Sequence, residues 1–223
     1  MRFEPLGVTK YETNGEREIV YGFHHASMGF IAEGLKRKRK SVVMGPMHLK
    51  SSIESALTDM VPTRYELFYY ENSSGGEFPE MPALNEDVPD TWKNNHCDAY
   101  NILFSNYPIF FPTIDVTKRI KVSDHFGELI VSHSTQNDGG NSEQKMKEWW
   151  QNTKKNEKGE EESPLNNHAK YTLVKAFRIE LVGAKMHEAI FSVDGELFKA
   201  TKLQCRFLDE KNILQACIKR EKL

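Results

Sequence analysis

The 29 residues from Tyr171 to Lys199, YTLVKAFRIELVGAKMHEAIFSVDGELFK, constrain the fold more than any other stretch of the chain. Tyr171, Leu173, Phe177, Ile179 and Leu181 recur mostly in twos, the spacing that puts every second side chain of a strand on one face. Ile190, Phe191 and Val193 lead a second strand, and Val182-Gly183-Ala184-Lys185 supplies the break between the two. Asp194-Gly195-Glu196 then separates Val193 from Leu197-Phe198. One reading of that triplet is a tight turn between strands with both acids in water. The other is a pair of carboxylates flanking a glycine, able to meet a cation, a phosphate-bound metal or a sugar hydroxyl.

Composition narrows the function classes. The chain has 223 residues, 39% hydrophobic and 28% charged, with a net charge of −2. That is enough length for a sizeable core, and a near-neutral balance gives no basis for nucleic-acid binding. The richest apolar segment, Tyr100–Ile114, is interrupted by Ser105, Asn106, Pro108 and Pro112 and does not read as a membrane span. The opening residues, MRFEPLGVTKYE, lack the apolar run of a signal peptide. Cys97, Cys205 and Cys217 form no Cys-x-x-Cys pair, which suits a reducing, cytoplasmic setting. His96 and Cys97 are adjacent rather than at ligand spacing, so no metal site is assigned.

Along the chain, Leu6–Tyr11 and Glu18–His25 flank Asn14-Gly15 as a hairpin, and the second run continues as a strand through Phe30-Ile31-Ala32. His24 and His25, adjacent on a strand, point to opposite faces and read as structural histidines. Lys36-Arg37-Lys38-Arg39-Lys40 is a run of five cations, suited to a solvated helix start or loop, or to phosphate and anionic lipid. Leu49, Ile53, Ala56 and Leu57 predict an amphipathic helix over Met47–Met60, and Tyr65, Leu67, Phe68 and Tyr69 a strand after it. Asn72–Asn95 and Lys154–Asn167 read as exposed loops, and Ser142–Asn156 as a second helix carrying Trp149 and Trp150. Short strands are expected at Asp98–Phe104, Ile109–Phe111, Ile120–Val122, Gly127–His133, Lys202–Phe207 and Ile213–Ile218. No internal repeat is evident. The sum is a single, mainly β domain over residues 1–223, an antiparallel β-sandwich with about two helices.

The runs FRIEL and FSVDGELF resemble the carboxy-terminal lobe of sphingosine kinases, within the group that includes ceramide and diacylglycerol kinases. Upstream, HASMGFIAEG is similar to a segment of that lobe, with Met28 where a tryptophan is usual, and MGPMHLKSSIESALTDMVPTRYELFYYE resembles the helix and strand that follow it. His125–Val131 also looks like one of the family's strand pairs. The resemblance runs from Pro5 to about Cys217, with gaps at Asn72–Asn95 and Lys154–Asn167.

It implies a β-sandwich lobe of an ATP-dependent lipid kinase acting on a sphingoid base or related lipid hydroxyl. ATP and Mg²⁺ would be held only with an amino-terminal nucleotide lobe, whose Gly-Gly-Asp-Gly-Thr-like motif this sequence lacks. It casts Asp194 and Glu196 as catalytic, and Gly195, Arg39 and His48 as cofactor-binding. Phe30, Ile31, Glu33 and Leu35 become substrate contacts, and Lys36–Lys40 a peripheral membrane contact. Val42 and His48 stand where the family has phosphate-contacting arginines, and Leu35 stands where it has the acid that reads the headgroup; leucine accepts no hydrogen bond. Two functions therefore stand side by side: the part-catalytic lobe, inactive alone, and a non-catalytic lipid- or protein-binding sandwich derived from it.

Overall fold

The computed structural model describes residues 6–11, 17–22, 24–40, 46–71, 79, 81–106, 109–111, 114–115, 126–133, 144, 169–183 and 189–207. Strands β1 (Leu6–Tyr11) and β2 (Arg17–Gly22) pair as the expected hairpin. Strand β3 (His25–Gly29) leads into helices α1 (Phe30–Lys40) and α2 (Pro46–Thr58). Strands β4 (Thr63–Glu71), β5 (Lys93–Ser105), β6 (Ile109–Phe111), β7 (Ile114–Asp115), β8 (Gly127–His133) and β9 (Ala169–Leu181) follow. The described chain closes with β10 (Ala189–Val193), β11 (Glu196–Ala200) and β12 (Lys202–Phe207). All the pairings are antiparallel, and β6 and β7 form a separate ribbon.

The sandwich arises because two 13-residue strands change partners halfway. Strand β5 pairs with β4 up to Ala99 and with β8 from Ala99 to Ser105. Strand β9 does the reverse, pairing with β8 up to Val174 and with β4 beyond it. One layer is thus β11-β10-β3-β5-β8-β9 and the other β5-β4-β9-β12-β1-β2. Register slips at Ala99/Asn101 and Tyr70/Glu71 mark where the ladders turn the corner. Alternation aims Ile102, Phe104, Leu129 and Val131 of the first layer at Leu67, Phe177, Ile179 and Leu203 of the second, in one buried cluster. The rings of Phe104 and Phe177 meet across it with centroids 4.9 Å apart.

The helices cover the outer face of the first layer. Leu49, Ile53, Ala56 and Leu57, the stripe read from the sequence, are buried with Phe30 and Ile31 against Tyr100, Leu103 and Ile130. The expected strand continuation through Phe30-Ile31-Ala32 is corrected, because α1 begins at Phe30. Gly29 ends β3 at φ +89°, and the Asn101 side-chain oxygen accepts from the Ile31 N–H at 3.3 Å, capping the new helix from a neighbouring strand. Gly34 lets the helices close on each other, since a Cβ there would lie 2.6 Å from Ile53 Cγ1.

The expectation of one long exposed loop over Asn72–Asn95 is also corrected. Strand β5 already begins at Lys93, and Leu84 and Trp92 are buried. Residues 82–86 are clasped by Arg178, which is 1% exposed. Its Nη1 donates to the Glu86 carbonyl at 2.8 Å, its Nη2 to Ala83 at 2.8 Å and Pro82 at 3.3 Å, and its Nε to Gln204 Oε1 at 2.7 Å. Gln204 in turn donates to Pro82 at 3.0 Å. The expected strands at Ile120–Val122 and Ile213–Ile218, and the loop at Lys154–Asn167, lie outside the described residues, as does the helix at Ser142–Asn156 apart from Gln144.

Candidate functional site

Asp194 and Gly195 are the two central residues of the β10–β11 turn, at φ +47° and +87°, with Val193 opposite Glu196. Positive φ at both positions is the type I′ geometry that suits the twist of a hairpin, and Asp-Gly is one of the pairs that tolerates it. The tight-turn reading of the triplet therefore describes the backbone. Both acids are exposed, as that reading has them, but Asp194 is also tied to the backbone. Asp194 Oδ1 accepts from the backbone N–H groups of His24 at 3.0 Å and His25 at 2.8 Å, while the Asp194 N–H donates to the His25 carbonyl at 2.9 Å. Oδ2 faces Gly22, where a Cβ would come within 3.3 Å of it. Glu196 is exposed, and among the described residues its carboxylate makes no hydrogen bond or ion pair.

A cation reaches the same turn from the other side of the sequence. Arg39, near the end of α1, donates from Nη2 to the Gly195 carbonyl at 2.7 Å. That leaves most of the guanidinium donors for another acceptor. Of the residues read as nucleotide- or catalysis-linked, Asp194, Gly195, Glu196 and Arg39 are brought together. His48 lies on α2, and its side chain is outside the described atoms.

Two other cations of the basic run are spent within the molecule. Lys36 pairs with both oxygens of Glu33 at 3.1 and 3.2 Å, and Arg37 binds Asp59 at 2.9 Å and Ser55 at 2.8 Å. Of the expected substrate contacts, Phe30 and Ile31 are 0% exposed inside the cluster beneath α2, and Glu33 and the half-buried Leu35 are the ones that reach the surface.

Two features escaped sequence reading. His24 and His25 do meet at one site, through backbone N–H groups rather than rings, because His24 sits in a bend before β3. The His25 ring is fixed by a 2.8 Å hydrogen bond between Nδ1 and Ser105 Oγ. The charge of Asp194, together with burial as the larger cause, pushes the Cys205 thiol well above its ordinary range, so this cysteine is an inert neighbour and not a nucleophile. Among the described residues no group of three His, Cys, Asp or Glu side chains is placed to hold a metal, and no helix is long and apolar enough to cross a membrane.

No protein-family model matches the chain, and no curated protein matches its sequence. Solved structures do match. A chain from Bacillus anthracis str. Sterne, provisionally assigned as a diacylglycerol kinase, superposes with a TM-score of 0.51 at 14% identity, over 93% of this chain and 54% of that one. A second such chain from the same organism gives 0.50 at 13% identity, over 93% and 55%. The fold described above is therefore shared with those proteins, and this chain spans about half their length.

Proposed function

We propose that this chain is the lipid-contacting, part-catalytic β lobe of an ATP-dependent lipid kinase that phosphorylates a sphingoid base or related lipid hydroxyl. The reading rests on one observation: a fold shared with the provisionally assigned diacylglycerol kinase structures carries a free carboxylate, Glu196, beside a tight turn that the Arg39 guanidinium reaches from α1. Phosphoryl transfer needs positioning and charge stabilisation more than covalent chemistry, and an acid and a cation on one apex suit that need. Bound MgATP supplies the phosphoryl group and a metal that offsets its charge. Glu196 would face that metal and Arg39 the phosphates. One carboxylate does not hold a metal alone, so a second, nucleotide-binding lobe completes the site.

On the lipid side, the half-buried Leu35 would supply the apolar contact, with Glu33 the acceptor for a polar headgroup. Among the described side chains of the cationic run, Lys38 and the uncommitted part of Arg39 would touch an anionic membrane. The alternative, a binding sandwich without chemistry, is favoured by the Asp194 carboxylate, whose Oδ1 already takes two backbone N–H groups.

The test is phosphate transfer by the protein isolated at its natural cellular length, with labelled ATP, Mg²⁺ and vesicles carrying sphingosine or diacylglycerol. Transfer that is lost in Glu196→Gln supports the kinase reading. No transfer to either lipid rejects it, and vesicle co-sedimentation then tests the binding module.

A further inference from the structure

We infer that His25 and Ser105 form a latch that positions the Asp194-Gly195 turn, so that the exposed Asp194 serves as an anchor and Glu196 is the acid left to meet a ligand. The argument starts from what holds Asp194. Its side chain takes the His24 and His25 N–H groups, and its own N–H returns to the His25 carbonyl, so the turn hangs on the backbone of two residues. Those two residues form the entry to β3: His24 precedes the strand and His25 is its first residue, opposite Ser105 in the ladder.

Two further bonds tie this entry to the end of β5. The Asn106 N–H donates to the His24 carbonyl at 3.1 Å, and the His25 ring bonds Ser105 Oγ at 2.8 Å. Ser105 is itself 0% exposed. It stands between His25 and the fully buried Glu128 in the register of β3, β5 and β8, so it is a fixed post rather than a mobile surface hydroxyl.

The consequence is a division of labour inside Asp194-Gly195-Glu196. Both outer contacts of the turn, Asp194 to β3 and Gly195 to Arg39, fix its position, and neither uses Glu196. A carboxylate held on a clamped turn meets a cation without first being ordered, which is the advantage of a preorganised charge. In this scheme His25 and Ser105 are positioning residues, acting on Glu196 through the backbone. The inference deepens the kinase reading and borrows its active-site assignment, but the latch itself is testable without activity.

The experiment is hydrogen exchange at the Asp194 amide in the full 223-residue chain, with Val131 and Ile179 as internal references. His25→Ala and Ser105→Ala should each speed exchange at Asp194 by about tenfold, the local cost of one lost hydrogen bond, with the references unchanged. His25→Asn, whose side-chain amide can donate or accept in place of Nδ1 toward Ser105, should restore protection. Unchanged exchange at Asp194 in His25→Ala overturns the latch, and so does a loss that asparagine fails to rescue. Should Ser105→Ala not fold, the His25 pair of variants decides. In an active kinase, His25→Ala should lower kcat and leave KM for the lipid unchanged. A wild-type protein with no transfer counts against the kinase reading, while the exchange result still decides the latch.

Discussion

Arg39 and Gly195 lie 156 residues apart in the chain, and the Arg39 guanidinium donates to the Gly195 carbonyl at 2.7 Å. The end of a helix and the tip of a hairpin are thereby one object. Each of the following expectations comes from such a contact.

Replacing Arg39 by alanine removes a single exposed hydrogen bond, so thermal stability should change by less than about 1 kcal/mol. Phosphate transfer should nonetheless fall by about tenfold or more if the guanidinium faces phosphates. Urea denaturation and transfer rate measured on the same preparation check this, and an equal loss in both would make Arg39 merely structural.

The two acids of the turn should respond oppositely to amide substitution. Asp194→Asn weakens two charge-assisted bonds and should cost about 1–2 kcal/mol of stability. Glu196→Gln should leave stability within about 0.5 kcal/mol, as at an ordinary surface position, while stopping transfer. Denaturation midpoints for the pair are the check.

Arg178→Met should remove three donated bonds, leaving the Glu86 carbonyl without its donor while Pro82 keeps Gln204 and Ala83 keeps the Glu86 N–H, and cost about 2–4 kcal/mol. Arg178→Lys should not rescue it, because an ammonium on a flexible stem cannot reproduce the planar fork. Limited proteolysis should show new cleavage between residues 81 and 92 in both variants. Burial lowers the pKa of this guanidinium and Glu180, at 3.5 Å, partly offsets the effect; an arginine keeps its charge regardless.

His133 should add a pH dependence to stability. Burial, and secondarily the Lys170 ammonium, lower its pKa from 6.5, so the unfolded chain takes up this proton before the folded one does. Its contribution is complete above about pH 6.5 and is lost as the pH falls from there through the folded-state value. The urea midpoint should drop between pH 7.5 and 5, and His133→Gln should flatten part of that drop. Lys170 is held nearby by Tyr69, 3.3 Å from its hydroxyl and 5.6 Å from its ring centroid, so Tyr69→Phe should alter the slope as well.

The strands were legible because alternation leaves its mark on sequence. Gly127–His133 and Lys202–Phe207 carry the same bounds in both, and the α2 stripe is the set of residues that the periodicity named. Helix α1 was not legible. Its apolar opening, Phe30-Ile31-Ala32, continues a strand-like run, and what starts the helix is Asn101, a residue on another strand. Arg178 falls between Phe177 and Ile179 of the alternating set and drew no assignment of its own, and only the return of residues 82–86 over that face makes it a buried clasp. At the site, the Asp-Gly turn and the nearby cationic run were readable as residues. The backbone N–H groups that take up Asp194 were not, since every residue but proline carries one and no side chain announces which are aimed at a carboxylate.

Strands β5 and β9 each belong to both layers, and this denies the molecule a seam. Neither layer can peel away while the other survives, because each shares its longest strands with its neighbour. Most of these pairings join distant parts of the sequence, so folding must wait for slow, long-range closure and should then finish in one step. A cut anywhere within Lys93–Ser105 or Ala169–Leu181 would therefore yield two fragments that are both unfolded, rather than one sheet and one remnant.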